Sequence, residues 1–186
     1  MIVLASKSPR RKELLSLITK DFIICESNFD ESLIDEKNPL QLVKLLSYYK
    51  ALTVQKNYPN DIIIGSDTIV CINNQILGKP KNIDDAKRML TLLSNSTHEV
   101  ITGLTILSKK KKICLAKKAK VYFKKLNDQE IDDYINSLEP FDKAGAYAIQ
   151  GLGSKFIKKI NGDYFTIVGL PVNLVYESLI KLGVKL

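Results

Sequence analysis

The chain opens on a short apolar run, Met1–Ala5, and the polar stretch behind it predicts where that first strand ends. A helix start follows, with Ser8 as N-cap, Pro9 at the first helical position and Glu13 shortly after. Phe22 to Cys25 predicts a second strand. From Asn38-Pro39 onward, apolar residues at Leu42, Leu45, Leu46, Tyr49 and Leu52 recur about every 3.6 residues, the signature of a long helix. Asp61 to Ile72 is β-rich, and Asn73-Asn74 makes a tight hairpin turn into Gln75–Leu77. Asn82 caps a helix reaching Leu93, and Val100–Leu107 pairs with Ile113–Phe123 across the Lys109–Lys112 turn. Asn127 and Glu130 form a capping box for the next helix. Phe156–Ile160 and Tyr164–Val168 predict a hairpin turning at Asn161-Gly162-Asp163, and Pro171 opens the last helix. Helices interleave with strands, yet several strand pairs are hairpins. The expected fold class is therefore α/β, with a mixed twisted sheet flanked by helices.

Length and composition narrow this further. The 186 residues suit one compact domain spanning the chain, built as two lobes around a cleft. With 45% hydrophobic and 26% charged residues, the chain has enough apolar surface for a core, which excludes a disordered polymer. No apolar run approaches the roughly 20 residues that span a bilayer, and the N-terminus reads as a strand instead of a leader. A soluble cytoplasmic protein without a membrane partner is expected. Cys25, Cys71 and Cys114 are widely spaced and odd in number, which argues against a zinc ribbon or a disulfide framework. His98 is the only histidine, so multi-histidine metal sites are excluded.

The net charge of +8 attracts anions without saying which. Most basic residues are lysines in solvated tracts. Arginine occurs only at Arg10, Arg11 and Arg88, and guanidinium is the group that binds phosphate bidentately. Arg10 and Arg11 stand with Ser6 and Ser8 where a strand gives way to a helix N-terminus, an anion site on physical grounds. Asp67 interrupts the apolar strand Ile62–Val70, where a carboxylate is costly unless paired or bound to a metal, and Gly65 beside it admits a bulge or a close ligand. Leu77-Gly78-Lys79-Pro80 carries one lysine on a turn and is not a Walker A loop. In Asp142–Gly153, small residues and three glycines allow close backbone approach to a ligand. There Gln150 offers a donor and an acceptor to a base edge.

Taken together, these segments resemble the Maf proteins, nucleoside triphosphate pyrophosphatases with a fold related to the inosine triphosphate pyrophosphatases. The resemblance rests on Leu4–Leu15, Asp30-Glu31-Ser32, Gly65-Ser66-Asp67-Thr68, Gly78-Lys79-Pro80, Asp142–Gly153, Lys158–Tyr164 and Val168-Gly169-Leu170-Pro171, in order along the chain. It implies hydrolysis between the α- and β-phosphates, with Asp67 as the catalytic acid residue that takes a proton from water. Ser6, Arg10, Arg11, Glu31, Lys50 and Lys79 match positions lining the phosphate cleft, and Arg10, Thr68 and Gln150 match positions that set base preference. The resemblance also implies a divalent cation, Mg²⁺ or Mn²⁺, bridging phosphate oxygens and carboxylates such as Glu31 and Asp67. The Gln150 segment is similar to the branch preferring dTTP and UTP. The branch preferring 7-methyl-GTP carries a Glu-bearing segment there. Ser66 and Ala148 stand where relatives often have Ala and Gly, and a Cβ at a position needing positive φ is costly.

House-cleaning of modified pyrimidine nucleotides is the family-level expectation. The alternatives are a 7-methyl-GTP pyrophosphatase, or a non-catalytic binding protein of either of two kinds. One is a regulator of septum formation, a process to which Maf proteins have been linked, and the other is a nucleic-acid-binding module. Nucleic acid is disfavoured as a partner, since tryptophan is absent and aromatics, at 8%, do not interleave with basic residues. A homodimer is compatible with the sequence, which marks no interface.

Overall fold

The computed structural model describes residues 1–186. Its strands are β1 (Ile2–Leu4), β2 (Phe22–Ile24), β3 (Ile62–Ile72), β4 (Gln75–Leu77), β5 (Thr97–Leu107), β6 (Lys112–Phe123) and β7 (Ile157–Asn161). The α-helices are α1 (Pro9–Ser16), α2 (Pro39–Gln55), α3 (Ile83–Leu93), α4 (Asp128–Asn136), α5 (Tyr164–Val168) and α6 (Val172–Lys181). The seven strands form one sheet in the order β2-β1-β3-β5-β6-β7, with β4 paired to β3. Val3 of β1 lies between Ile23 and Ile63 in parallel pairings, while β3–β4 and β6–β7 are antiparallel, so the sheet is mixed as expected.

Two compact units divide the chain. The first comprises Met1–Thr68, Thr102–Lys117 and Gly169–Leu186, and the second Ile69–Ile101 and Lys118–Val168. In the first, Val3, Ala5 and Ile63 pack with Ala51 and Val54 of α2 and Leu107 of β5. The second has its own core, in which Met89, Leu90 and Leu93 of α3 meet Val121, Phe123, Ile131 and Phe156. The single histidine belongs to that core: His98 is buried, 2.7 Å by Nε2 from the Tyr147 hydroxyl, and burial pushes its imidazolium down to about 4.

Local signals set the helix starts. Ser8 accepts from the Arg11 amide, Asn38 from the Leu40 and Gln41 amides, and Asn82 from the Asp85 amide, while Asn127 and Glu130 complete their capping box. Asn73 and Asn74, at φ of 48° and 62°, turn β3 into β4, a conformation asparagine tolerates. One expectation fails. Tyr164–Val168 is helix α5, not the second strand of a hairpin, and β7 pairs with β6 instead. A five-residue apolar run is compatible with either state. Here the Asp163 carboxylate accepts from both the amide and the hydroxyl of Thr166, capping a helical turn.

Gly65 also departs from expectation, because the close approach it permits is to the protein itself. A Cβ there would lie 2.3 Å from the Ser47 carbonyl oxygen, and one on Gly103 would lie 2.0 Å from that of Val43. Both carbonyls belong to α2, so two glycines let this helix seat directly on β3 and β5. Gly65→Ala and Gly103→Ala are each expected to destabilise by about 1–3 kcal/mol or more as α2 is forced outward. Thermal melts check this, and unchanged midpoints in both variants would show that the seat does not depend on the glycines.

Candidate active site

The first unit gathers a carboxylate, an ammonium and a guanidinium where the end of β1, the start of α1, α2 and β3 come together. Asp67 lies mid-strand on β3 and is 7% exposed. Lys50 lies on the buried stripe of α2 that runs Val43, Leu46–Ser47, Val54. Its Nζ is 2.5 Å from Asp67 Oδ1 and 2.7 Å from Glu31 Oε1, so one ammonium bridges two carboxylates. Glu31 begins a short 3-10 turn capped by Asp30 and stays solvent-accessible.

Arg11 is held on three sides. Its Nε donates to the Gly169 carbonyl at 3.0 Å, Nη1 to the Ser6 hydroxyl at 3.3 Å and Nη2 to the Thr68 hydroxyl at 3.3 Å. Each nitrogen thus spends a donor inside the unit, leaving two of the five guanidinium N–H bonds for other acceptors. The Thr68 hydroxyl is also 2.9 Å from that of Thr102. Ser6 accepts from the Ser8 amide as well as from Arg11, and Arg10 lies half-buried beside it on α1. Ser66, where relatives often have Ala, is fully buried with its hydroxyl 2.9 Å from the carbonyls of both Gly103 and Gly169, ready to donate to either. The extra hydroxyl is absorbed by the scaffold.

Lys79 and Gln150 belong to the second unit, and both side chains are exposed. The Ala148–Gly153 loop that carries Gln150 is tied down internally. Leu152 and Gly153 donate their amides to Glu139, and Ala148 donates its amide to Tyr134. The glycines serve this arrangement: a Cβ on Gly151 would lie 2.5 Å from Glu139 Oε2, and one on Gly153 would lie 2.7 Å from the Tyr134 hydroxyl. Their close approach is therefore to protein groups, contrary to the ligand-facing role read from the sequence. Ala148 needs no positive φ. That conformation falls on Gly145 and Ala146, at 70° and 61°.

Comparison with known proteins places the chain. Residues 1–182 match the family described as Maf-like protein. The chain belongs to the Maf family. The Maf assignment is supported by a relative from Geobacillus sp. (strain WCH70), named dTTP/UTP pyrophosphatase, which is 47% identical over 98% of this chain and 98% of its own. A protein of the same name from Lachnoclostridium phytofermentans is 50% identical over 100% of this chain and 96% of its own, and one from Acholeplasma laidlawii is 47% identical over 96% and 95%. Among solved structures, the Staphylococcus aureus Ham1 protein superposes with a TM-score of 0.52 at 12% identity, covering 97% of this chain and 98% of that one. This likeness shows the fold, which is the one expected.

Electrostatics distinguish the charged groups of this Maf site. Burial lifts the Asp67 carboxyl above the ordinary carboxylate range, Lys50 and Arg11 pull it back, and Glu31 adds to the rise. Burial likewise lowers Arg11, against the attraction of Asp67, though a guanidinium stays protonated throughout. The roles of Thr102 and of the Gly169 carbonyl have no sequence signal of their own, because a threonine in an apolar strand and a backbone oxygen look like any other. Lys50 entered only through the family resemblance, although its place on the apolar stripe of α2 could have marked it.

The Asp67 balance is directly measurable. Carbon-13 NMR of labelled carboxyl groups should show Asp67 titrating above the other aspartates. Lys50→Met should move it higher still, since removing the ammonium leaves burial and Glu31 less opposed. A downward move would show that Lys50 does not stabilise the charged form.

Proposed function

We propose that this protein hydrolyses dTTP and UTP to the nucleoside monophosphate and pyrophosphate. The observation that carries the reading is the buried Asp67 carboxylate held by Lys50 with the Arg11 guanidinium nearby. A carboxyl raised by burial is a better proton acceptor than an ordinary one, and the cations offset its repulsion of a polyphosphate. Lys50 occupies Oδ1, which leaves Oδ2 to take a proton from water. As that water oxygen bonds to the α-phosphorus, the bond from this phosphorus to the bridging oxygen breaks, and pyrophosphate departs with the bridging oxygen. Arg10, the remaining Arg11 donors, Ser6 and Lys79 take the phosphate-binding roles. Thr68 and Gln150 take the base-selecting roles, together with Arg10.

A divalent cation, Mg²⁺ or Mn²⁺, fits the donor set. Glu31 Oε1 and Asp67 Oδ1 already share one positive centre, Lys50 Nζ, whose place on those oxygens a divalent cation would take, leaving Asp67 Oδ2 for the proton, and no third carboxylate, histidine or cysteine gathers with them. Mg²⁺ suits such a pair, because it takes one or two carboxylates and completes its shell with water and phosphate. Those two residues would hold it, and bound there it neutralises charge on the phosphate oxygens. No helix is long and apolar enough to cross a membrane, and the three cysteines are free, in keeping with action in the reducing cytoplasm.

The test is pyrophosphate release from dTTP, UTP, CTP, ATP, GTP and 7-methyl-GTP with Mg²⁺ or Mn²⁺. The expected result is preference for dTTP and UTP, reduced about 10²–10⁴-fold in Asp67→Asn. Turnover of 7-methyl-GTP alone would overturn the base assignment, and no pyrophosphate from any nucleotide would overturn the reaction.

A further inference from the structure

The second unit contains a carboxylate that the proposed chemistry does not use. Glu139 follows α4, where Leu138 adopts a left-handed conformation at φ 64° and ends the helix abruptly. Its Oε1 accepts from the Tyr134 hydroxyl at 2.8 Å and the Gly153 amide at 3.2 Å, and its Oε2 accepts from the Leu152 amide at 2.9 Å. Tyr134 is 1% exposed, stacked edge-on against Phe156, and its oxygen in turn accepts from the Ala148 amide at 3.2 Å. Burial alone would raise the Glu139 carboxyl, yet the Leu152 amide, the Tyr134 hydroxyl and the Gly153 amide hold it below the ordinary value. It is therefore ionised, and its hydrogen bonds are charge-assisted.

This pair grips the loop on both sides of Gln150 and leaves Gln150 itself exposed. Ala148 is held two residues before it, Leu152 and Gly153 two and three residues after it. Gly151 and Gly153 leave no room for side chains that would lift the loop away. A carboxamide on a loose loop can turn either its oxygen or its nitrogen to a base, so it tells uracil from cytosine poorly. A backbone held at one place limits the positions from which the carboxamide can meet the base, so that the orientation matched to uracil is favoured over the one matched to cytosine.

We propose that Glu139 and Tyr134 are the positioning residues for Gln150, setting discrimination between pyrimidine bases that differ at the edge Gln150 reads. The proposal rests on the reading of Gln150 as the base-selecting residue. Tyr134→Phe keeps the ring against Phe156 and removes only the hydroxyl. Glu139→Gln keeps one oxygen but sets an NH₂ group against an amide N–H.

The experiment measures kcat and KM for UTP and CTP in wild type, Tyr134→Phe, Glu139→Gln, Gln150→Ala and the double variant Glu139→Gln/Gln150→Ala. Both clamp variants should lower the UTP/CTP ratio of kcat/KM, by about 2–10-fold for each lost hydrogen bond, mainly through KM for UTP. Adding Glu139→Gln to Gln150→Ala should change the ratio no further, because both act through one side chain. An effect of Gln150→Ala without one in either clamp variant overturns the positioning role and leaves the Gln150 reading standing, as does an additive double variant. An unchanged ratio in Gln150→Ala overturns both. If Glu139→Gln does not fold, Tyr134→Phe alone decides.

Discussion

The first unit is organised around one expensive feature, a carboxylate in the middle of a buried strand. An isolated ionised Asp67 would be driven neutral, and its two cationic neighbours are what keep charge available to it. Lys50 reaches it from α2 only because that helix lies against β3 and β5 without intervening side chains at Gly65 and Gly103. Packing and electrostatics are thus one problem here. A change that moves the helix by a methyl group's width also moves the ammonium off the carboxylate.

The groups around Asp67 divide into those that hold and those that are free to bind. Arg11 is spent mostly on holding. It joins the end of β1, β3 and the Gly169 turn through Ser6, Thr68 and a backbone carbonyl. Ser66 ties the same turn to β5. Because the protein already satisfies these groups, they lose little freedom when an anion arrives, and the ordering cost of binding is lowered. Glu31 is the contrasting case, exposed and able to exchange partners.

Local features were readable in advance where the chemistry is local. The caps at Ser8, Asn38, Asn82 and Asn127 and the Asn73-Asn74 turn each depend on a few adjacent residues, and each forms. Tyr164–Val168 was not readable, because the same five apolar residues suit a strand or a helix and Asp163 decides between them. Asp67 announced itself as a polar residue in an apolar run. The glycines were visible but ambiguous: a missing Cβ looks the same whether it makes room for a ligand, a helix or a carboxylate. Glu139 and Tyr134 left no trace, since they act through main-chain amides that every residue possesses.

That last case shows why a site can depend on residues that never meet its ligand. Gln150 is exposed, and an exposed side chain has little to restrain it except the backbone that carries it. An ionised carboxylate receiving two consecutive amides restrains that backbone more firmly than neutral acceptors would, and glycine is the residue that lets it come so close. The glycines of Ala148–Gly153 and the acid that follows α4 therefore form one device, split by more than ten positions along the chain. Replacing a glycine there would press on Glu139 and Tyr134 before it touched any nucleotide, so the requirement for glycine is set by the clamp.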